Sequence, residues 1–308
     1  MIDQSARRPD WLDESEYPFA SHYLEVGPGR MHYIDEGPVG AEETLLFVHG
    51  NPDWSFAYRH LIKGLAVQHR CVAVDHIGFG LSDKPNTGWN FTPAEHAAHL
   101  KKLVQMIDLR GVTLVVNDWG GPFALPFAAD EPDRIRRLVV INSTFWSVGP
   151  RELAPRIFST VMGSPVGRYL VRRHHFLVRG VMRSLIQNPI AKSDGIWRHY
   201  LLPATPEERR ASWSLPAQIL RSGPWFDFQW ARRGALQSKP ALIVWGSKDT
   251  VMPRTGAEQL LAAFPEASVL RLPLSGHYPH EDQPGEVIAA IERLLEKAEA
   301  SSGNRLPS

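Results

Sequence analysis

The sequence predicts an α/β protein, in which a mostly parallel sheet is covered by helices and a helical subdomain is inserted late in the chain. Short apolar, β-branched runs alternate with helix-like stretches along the 308 residues, as in parallel sheets with helical crossovers. About a hundred residues separate two of these runs, far more than a usual connection. One large core with an insertion and two separate domains both fit this length.

Eight short runs predict the strands. In chain order they are His22–Val26, Arg30–Ile34, Leu45–Val48, Cys71–Val74, Val112–Val116, Leu138–Ile141, Ala241–Trp245 and Ser268–Leu272. The first two are separated by the turn sequence Gly27-Pro28-Gly29, so we expect a hairpin that leads into the sheet. Helix-like stretches connect the later runs, which favours parallel pairing among them.

The long interruption divides the chain. Residues 143–238 are rich in Arg, Trp and Leu and contain helix-like stretches at 165–184 and 206–221, so they are predicted to form a helical cap, or lid, over the strand ends. Residues 1–142 and 239–298 then make the α/β core. Residues 299–308 are expected to be a flexible tail.

Composition limits the class of protein. With 43% hydrophobic residues and 34 basic against 33 acidic side chains, the chain can bury a core, and its net charge of +1 argues against a nucleic-acid partner. The one cysteine, Cys71, lies in an apolar run, which leaves no internal disulfide and suggests no metal cluster. Neither a leader-like N-terminus nor an apolar run of about 20 residues is present. We therefore expect a cytoplasmic protein without a membrane partner, cofactor or metal.

The run Val112–Val116 ends in an acid where α/β enzymes carry their chemistry. It is followed by NDWGG at 117–121, and ligands of open α/β sheets bind at the carboxyl ends of strands. The two glycines allow the sharp turn that exposes a nucleophile, usually serine, but no G-x-S-x-G pattern occurs in the chain. Asp118 is therefore either a carboxylate nucleophile or the cap of the next helix.

A second acid and a histidine follow later strands. Asp249 comes just after the seventh run, and His277 comes just after the eighth. An ionised aspartate can displace a leaving group from saturated carbon, and the resulting ester needs a histidine to activate water and an acid to orient that histidine. His280 competes with His277, which we prefer because it directly follows the strand end. Separately each could be a loop residue, but together they indicate a triad.

The loop after the third run adds possible donors. The backbone N–H groups of Asn51 and Trp119 are the expected oxyanion hole of the hydrolytic step. Their side chains, a carboxamide and an indole, are donors that could hold a departing halide, which needs hydrogen bonds rather than a proton. Alone, Trp119 would be assigned to packing and Asn51 to a turn. As a pair beside Asp118 they suggest halide binding.

These stretches closely resemble the haloalkane dehalogenases. The matching segments are HGNPDWSFAYR (49–59), DHIGFGLSDKP (75–85), NDWGG (117–121), WGSKDTVMP (245–253) and GHYPHEDQP (276–284). The resemblance implies an α/β hydrolase fold with an eight-stranded, mostly parallel sheet, and hydrolysis of haloalkanes to a primary alcohol and halide. It also implies Asp118 as nucleophile, His277 as base, Asp249 as its partner, and Asn51 with Trp119 as the halide-binding pair.

Two features are similar to the third subfamily of these enzymes. No carboxylate follows the sixth run at 141–144, so Asp249 must orient the histidine, and Asn51 supplies the second halide donor. Members of that subfamily tend to self-associate, which implies a possible homo-oligomer. Asn117 departs from the family, because many relatives have histidine there.

The cap is harder to interpret. Six of its aromatic residues either line a pocket or form the core of the cap: Phe145, Trp146, Trp197, Trp213, Trp225 and Phe228. The basic stretch Arg168–Arg183 either faces solvent or attracts an anionic surface, and the sequence favours the first interpretation.

Other functions fit parts of the pattern. An epoxide hydrolase resembles this chain in fold and nucleophile, but it uses lid tyrosines, of which only Tyr169 and Tyr200 are present, and it usually carries an aromatic at position 51. A fluoroacetate dehalogenase would need arginines where Trp119 and Phe123 stand. A non-catalytic ligand-binding protein on this scaffold would have a disabled triad, whereas all three residues are present.

Overall fold

The structure, a computed structural model, describes residues 8–38, 40–41, 43–252 and 255–302. Its strands are β1 (His22–Glu25), β2 (Arg30–Glu36), β3 (Thr44–Val48), β4 (Arg70–Val74), β5 (Val112–Asn117), β6 (Ile135–Ile141), β7 (Ala241–Gly246) and β8 (Ser268–Leu272). They form one sheet in the order β1-β2-β4-β3-β5-β6-β7-β8. The pairs β1–β2 and β2–β4 are antiparallel and the other pairs are parallel. The predicted hairpin and mostly parallel sheet are confirmed.

The central strands are buried on both faces, which explains their continuous apolar runs. All residues of β3, β5 and β7 are buried. Successive residues of β3 face opposite sides, so Leu46 and Val48 join one hydrophobic core while Leu45 and Phe47 join the other. Parallel pairing brings the carboxyl ends of β3, β5, β6, β7 and β8 to one edge of the sheet, where the following loops meet.

Helices cover both faces of the sheet. They are α1 (Arg59–Leu65), α2 (Pro93–Met106), α3 (Gly120–Asp130), α4 (Leu153–Met162), α5 (Pro165–His174), α6 (Arg183–Leu185), α7 (Asp194–Leu201), α8 (Arg210–Arg221), α9 (Gly223–Ala231), α10 (Gly256–Ala263), α11 (Pro279–Asp282) and α12 (Pro284–Ser302). The start of α2 shows why the chain becomes helical there. The Thr92 hydroxyl accepts from the Glu95 N–H, and the Glu95 carboxylate accepts from the Thr92 N–H, which satisfies two free donors.

Residues 143–238, called the inserted segment below, lie between β6 and β7 and contain α4 to α9. The single helix predicted at 165–184 is divided, because α5 ends at His174 and His175 adopts a φ of +54°. A left-handed residue commonly closes a helix, but it is usually glycine, so the sequence does not reveal this break. A π-helical turn at Leu177–Met182 and α6 follow. The helix predicted from 206 begins at Arg210.

The C-terminal helix α12 extends to Ser302. Residues 299–302 of the predicted flexible tail are therefore helical, and its remainder, 303–308, lies outside the described residues. Within the described part of the chain, no helix combines the length and the apolar character needed to cross a bilayer.

Candidate active site

The turn between β5 and α3 presents Asp118. This residue has a φ of +52°, in the left-handed region, and is 8% exposed. A Cβ at Gly120 would overlap the Val48 carbonyl, so glycine is needed for α3 to begin this close to β3. The Asp118 N–H donates to the Asn142 carbonyl at 3.2 Å, and the Ser143 hydroxyl donates to the Asp118 carbonyl at 2.6 Å. The loop after β6 thus holds the strained turn.

His277 lies between the two predicted carboxylates. Its Nδ1 is 2.7 Å from Asp249 Oδ2, and its Nε2 is 3.4 Å from Asp118 Oδ2. All three side chains are at most one-tenth exposed. The competing His280 is buried in α11, where its ring stacks on Tyr58 and neither ring nitrogen has a hydrogen-bond partner among the described residues. The structure therefore brings together Asp118, His277 and Asp249, and leaves His280 apart.

Electrostatics favour the protonated form of His277. Burial opposes its charge, but the charge of Asp249, the hydrogen bonds to Asp118 and Asp249, and the charge of Asp118 raise the pKa of His277 to about 10. Burial likewise opposes ionisation of Asp249, yet the charge and hydrogen bond of His277 and two backbone N–H donors lower the pKa of Asp249. Both carboxylates thus favour the charged form of His277, and His277 in turn favours the ionised form of Asp249.

Asn51 contacts Asp118 through its backbone. The Asn51 N–H donates to Asp118 Oδ1 at 2.9 Å. Gly50 permits this approach, because a Cβ there would overlap the Asp118 side chain. The Asn51 carboxamide instead donates to the Ser212 carbonyl of α8 at 3.3 Å. Trp119 follows Asp118 directly and is 9% exposed. In the described structure no hydrogen bond joins its indole N–H to the Asn51 carboxamide.

Known proteins share this architecture. Residues 43–284 match the α/β hydrolase fold family. Haloalkane dehalogenase 2 of Mycobacterium tuberculosis is 36% identical over 283 residues, which cover 91% of this chain and 96% of that protein. The chain belongs to the haloalkane dehalogenase family of α/β hydrolases. The family and fold predicted from the sequence are confirmed.

Two further known proteins are similar to this haloalkane dehalogenase family member. A cis-3-alkyl-4-alkyloxetan-2-one decarboxylase of Shewanella oneidensis is 31% identical over 301 residues, which cover 92% of this chain and 90% of that protein. The crystal structure of a loop variant of the haloalkane dehalogenase DbeA from Bradyrhizobium elkanii matches with a TM-score of 0.81 and 25% identity, covering 94% of this chain and 100% of that one. The scaffold is therefore shared by relatives named for two different reactions.

Asn142 holds the acid of this family member in place. Its Nδ2 donates to Asp249 Oδ2 at 2.6 Å, the same oxygen that contacts His277, and its Oδ1 accepts from the Gly246 N–H at 2.8 Å. Asn142 itself has a φ of +37°. In the sequence, this loop stands out only for its lack of a carboxylate. Its position directly after a strand, like that of Asp118, is the signal that could have identified it.

Asn117 supports the histidine from the other side. Its Nδ2 donates to the Ile141 carbonyl at 2.9 Å and to the His277 carbonyl at 3.2 Å, while its Oδ1 is buried without a partner among the described residues. The sequence marked Asn117 only as a departure from relatives with histidine. The structure shows that it links the ends of β5 and β6 to the loop that carries His277.

Aromatic residues of the inserted segment differ in their relation to the site. Phe226 of α9 contacts the Trp119 ring, with 5.8 Å between ring centroids, although the sequence did not single it out. Among the predicted candidates, Phe145 is buried and Trp197 packs within a hydrophobic core. Phe228 is 61% exposed. The six candidates thus do not form one lining, and no feature of the spacing distinguishes Phe226 from its neighbours.

The two tyrosines of the inserted segment are engaged or placed elsewhere. The Tyr200 hydroxyl donates to Glu281, which is buried and also paired with Arg59. Tyr169 is 59% exposed on α5. Neither hydroxyl has a hydrogen bond to Asp118 or His277 in the described structure. The pair of tyrosine acids that an epoxide hydrolase needs is therefore not assembled at Asp118.

Proposed function

We propose that this protein hydrolyses haloalkanes to a primary alcohol and a halide ion through an alkyl ester on Asp118. The observation that carries the proposal is the placement of His277 between Asp118 and Asp249 beneath a strained turn. A carboxylate nucleophile in this setting suits displacement at saturated carbon, because it needs no base to remove a proton. Membership of the haloalkane dehalogenase family supports the same reaction.

The first step forms the ester. Asp118 Oδ1 accepts the Asn51 N–H at 2.9 Å, whereas Oδ2 has only the longer contact of 3.4 Å with His277 Nε2, so Oδ2 is assigned the attack on the halogenated carbon. The new C–O bond forms as the carbon–halogen bond breaks, and the halide leaves with the electron pair. The indole of Trp119 and the carboxamide of Asn51 are the donors assigned to that anion. For Asn51, this requires its carboxamide to face the halide as well as the Ser212 carbonyl.

The second step hydrolyses the ester. It follows the first step because ester formation changes the charge next to His277. Esterification removes the negative charge of Asp118, which is one of the causes that raise the pKa of His277. The imidazole can then lose its proton and act as a base toward water. Water adds to the Asp118 carbonyl carbon as His277 takes one of its protons, and the Asn51 N–H stabilises the negative oxygen. When the intermediate collapses, the imidazolium returns that proton to the leaving oxygen, so the alcohol is released and the carboxylate is regenerated on loss of the remaining proton. Asp249 stabilises the imidazolium meanwhile.

The inserted segment, residues 143–238, is proposed to act as the lid of the site, with 1–142 and 239–298 as the catalytic core. The contact of Phe226 with Trp119 and of Ser212 with Asn51 supports this division, because both bring the segment to residues beside Asp118. We also propose a cytoplasmic location and a homo-oligomeric state. The latter extends the tendency of the third subfamily to self-associate.

Lactone decarboxylation is a second candidate, because the Shewanella oneidensis relative covers nearly the whole chain. Such a reaction would open a four-membered lactone and release carbon dioxide, and it would not need a halide site. Epoxide hydrolysis is less well supported, since Tyr200 is bound to Glu281 and Tyr169 lies on the outer surface. The presence of all three triad residues argues against a purely ligand-binding protein.

One set of assays separates these reactions. The purified protein is incubated in turn with 1-bromohexane, styrene oxide and a cis-dialkyl oxetan-2-one, while bromide, acid, diol and carbon dioxide are followed. Release of bromide and acid without diol supports the proposal. Diol formation without bromide, or carbon dioxide release without bromide, would contradict it. The variant Asp118→Asn is the control, because an amide is a poor nucleophile and bromide release should stop.

A further inference from the structure

Large apolar side chains are unevenly distributed on the surface. Among the residues whose side chains the structure describes, nine of the thirteen exposed ones belong to the inserted segment, which is less than a third of the chain. They are Leu153, Ile157, Val161, Val166, Tyr169, Phe176, Ile190, Leu202 and Phe228. Single exposed apolar residues are common on soluble proteins, but a concentration of them marks an interaction surface.

The first five of these residues lie on α4 and α5. Leu153, Ile157 and Val161 are spaced by four, so they share one side of α4. The next helix, α5, adds Val166 and Tyr169, which are three apart and likewise share a side. Both helices pack on α8. The five exposed side chains, called the apolar ridge below, are therefore presented by two adjoining helices with no covering element in the described structure.

The ridge lies in the most basic part of the chain. The inserted segment holds fourteen basic and five acidic residues, a net charge of +9. Since the whole chain carries +1, the remainder carries −8. Arg151 and Arg173 flank the ridge, are exposed and form no ion pair with any described residue. Arg168 lies over the ring of Trp213, 4.6 Å from its centroid. Cations and apolar side chains are thus displayed together.

A second copy of the chain is a poor match for this surface. Pairing two ridges would bring two segments of charge +9 together. Pairing the ridge with the acidic remainder would satisfy charge, but the exposed large apolar residues among its described positions are single ones, Met106 at the end of α2 and Val67, Val251 and Leu274 in three different loops. Neither arrangement covers the ridge with apolar surface and opposite charge at once.

A bilayer with anionic headgroups offers both. Apolar side chains of a surface helix insert at the boundary of headgroups and acyl chains, and arginines bind lipid phosphates. We propose that the apolar ridge and its arginines form a docking surface for anionic membranes. The sequence predicted no membrane partner. This binding is peripheral and involves no spanning helix, and it does not depend on which reaction Asp118 performs.

Vesicle flotation tests this. The full chain is mixed with vesicles of phosphatidylcholine, or of phosphatidylcholine with phosphatidylglycerol, at low and at high salt. Wild type should float with the mixed vesicles and bind about tenfold less to neutral vesicles, and less at high salt, because headgroup attraction is screened. The double variant Leu153→Ser with Ile157→Ser should lose at least about tenfold in binding.

The matched control is Val67→Ser with Leu274→Ser, which removes two residues that are 77% and 65% exposed outside the inserted segment. It should bind as wild type does. Circular dichroism and thermal midpoints verify that all variants are folded, as expected for changes at exposed sites. Equal binding to neutral and anionic vesicles, or unchanged binding of the ridge variant, would overturn the proposal. A ridge-dependent dimer without vesicle binding would also overturn it, in favour of a second copy.

Discussion

At the residue scale, the position of His277 between two carboxylates determines the order of the two proposed steps, ester formation and then ester hydrolysis. While Asp118 is ionised, its charge and that of Asp249 hold a proton on the imidazole. A protonated imidazole cannot accept a proton from water, so wasteful activation of water before alkylation is suppressed. Once the ester forms, only Asp249 remains to hold the proton. The same residue therefore changes from a counter-ion to a base without any movement of the chain.

Asp118→Asn should lower the pKa of His277. Asparagine imitates the neutral ester, so the pKa of His277 should fall below its wild-type value, by one unit or more if Asp118 contributes about 1.4 kcal/mol. Titration of the histidine ring signals by NMR measures this. An unchanged pKa of His277 would mean that Asp249, and not Asp118, accounts for the raised value. The proposed ordering of the two steps would then lose its basis.

Replacing Asn142 by alanine should slow the hydrolytic step. Asp249 Oδ2 would lose the donor at 2.6 Å, and a hydrogen bond to a charged group is worth about 1.5–3 kcal/mol. We expect turnover to fall about tenfold or more while the alkylation burst keeps its rate. Rapid-quench kinetics with 1-bromohexane separate the two steps. Asn90→Ala, at an exposed position, is the control and should leave both steps unchanged.

Part of this site could be predicted from the sequence, and the reason is local. Asp118, Asp249 and His277 each follow a strand within a recognisable stretch, so their approach at one sheet edge follows from the fold. Asn142 and Asn117 depend on which strand ends become neighbours and which way two carboxamides turn. The contact of Phe226 with Trp119 depends on how the inserted segment folds over the core. No local pattern encodes these contacts.

At the scale of elements, one buried ion pair ties the inserted segment to the core. Arg59 of α1 donates to both carboxylate oxygens of Glu281 in α11, and Tyr200 of α7 donates to the same carboxylate. Arg59 and Glu281 are essentially inaccessible to solvent. Burial alone would lower the pKa of Arg59, but the Glu281 charge and hydrogen bonds raise it instead. The Glu281 carboxylate therefore joins three separate helices, α1, α7 and α11, through its hydrogen bonds.

Removing that carboxylate should be costly. Glu281→Ala leaves the buried guanidinium with only the longer contact to Glu16 at 3.4 Å and the Phe56 carbonyl, and the loss of a buried partner costs about 3–5 kcal/mol of unfolding free energy. Urea denaturation followed by tryptophan fluorescence measures it. The matched variant Glu258→Ala breaks the exposed pair with Arg271 and should cost less than about 1 kcal/mol. Similar losses in the two variants would contradict the role given to the buried pair.

Burial and helix-end signals decide which elements could be predicted from the sequence. The central strands β3, β5 and β7 could be located because each is a compact, mostly apolar run that is buried at every position. In the inserted segment, the break at His175 is made by a left-handed histidine rather than by glycine or proline. The start of α8 at Arg210 likewise lacks a capping side chain. Without these usual signals, helix boundaries there could not be predicted.

At the scale of the whole molecule, buried neutral histidines should limit stability in acid. Burial, with neighbouring positive charges, lowers the pKa of His96, His175 and His280 to about 3 each. In the unfolded chain they bind protons near pH 6.5, so stability falls as the pH drops from 6.5 toward 3. His277 acts in the opposite direction, because its stabilisation is complete below pH 6.5 and is lost as the pH rises through about 10. Stability should peak near neutral pH.

His96→Phe tests this pH dependence. His96 stacks on Phe123 with 4.6 Å between centroids, and neither of its nitrogens has a partner among the described residues, so phenylalanine should fit. Between pH 6.5 and 4, the variant should lose about 1.4 kcal/mol less per pH unit than wild type. Urea midpoints at several pH values provide the measurement. His174→Gln, at an exposed position, should keep the wild-type slope, and an unchanged slope in His96→Phe would contradict the prediction.

The covalent intermediate is the central claim, and His277→Phe tests it most directly. The variant is incubated with 1-bromohexane, and the intact mass and the peptide that contains Asp118 are measured. We expect a mass increase of one hexyl group on Asp118 together with a single equivalent of bromide, because ester formation needs no base and hydrolysis does. His280→Phe should turn over without trapping the adduct. An unmodified Asp118 in His277→Phe after bromide release, or an adduct at another residue, would contradict the account.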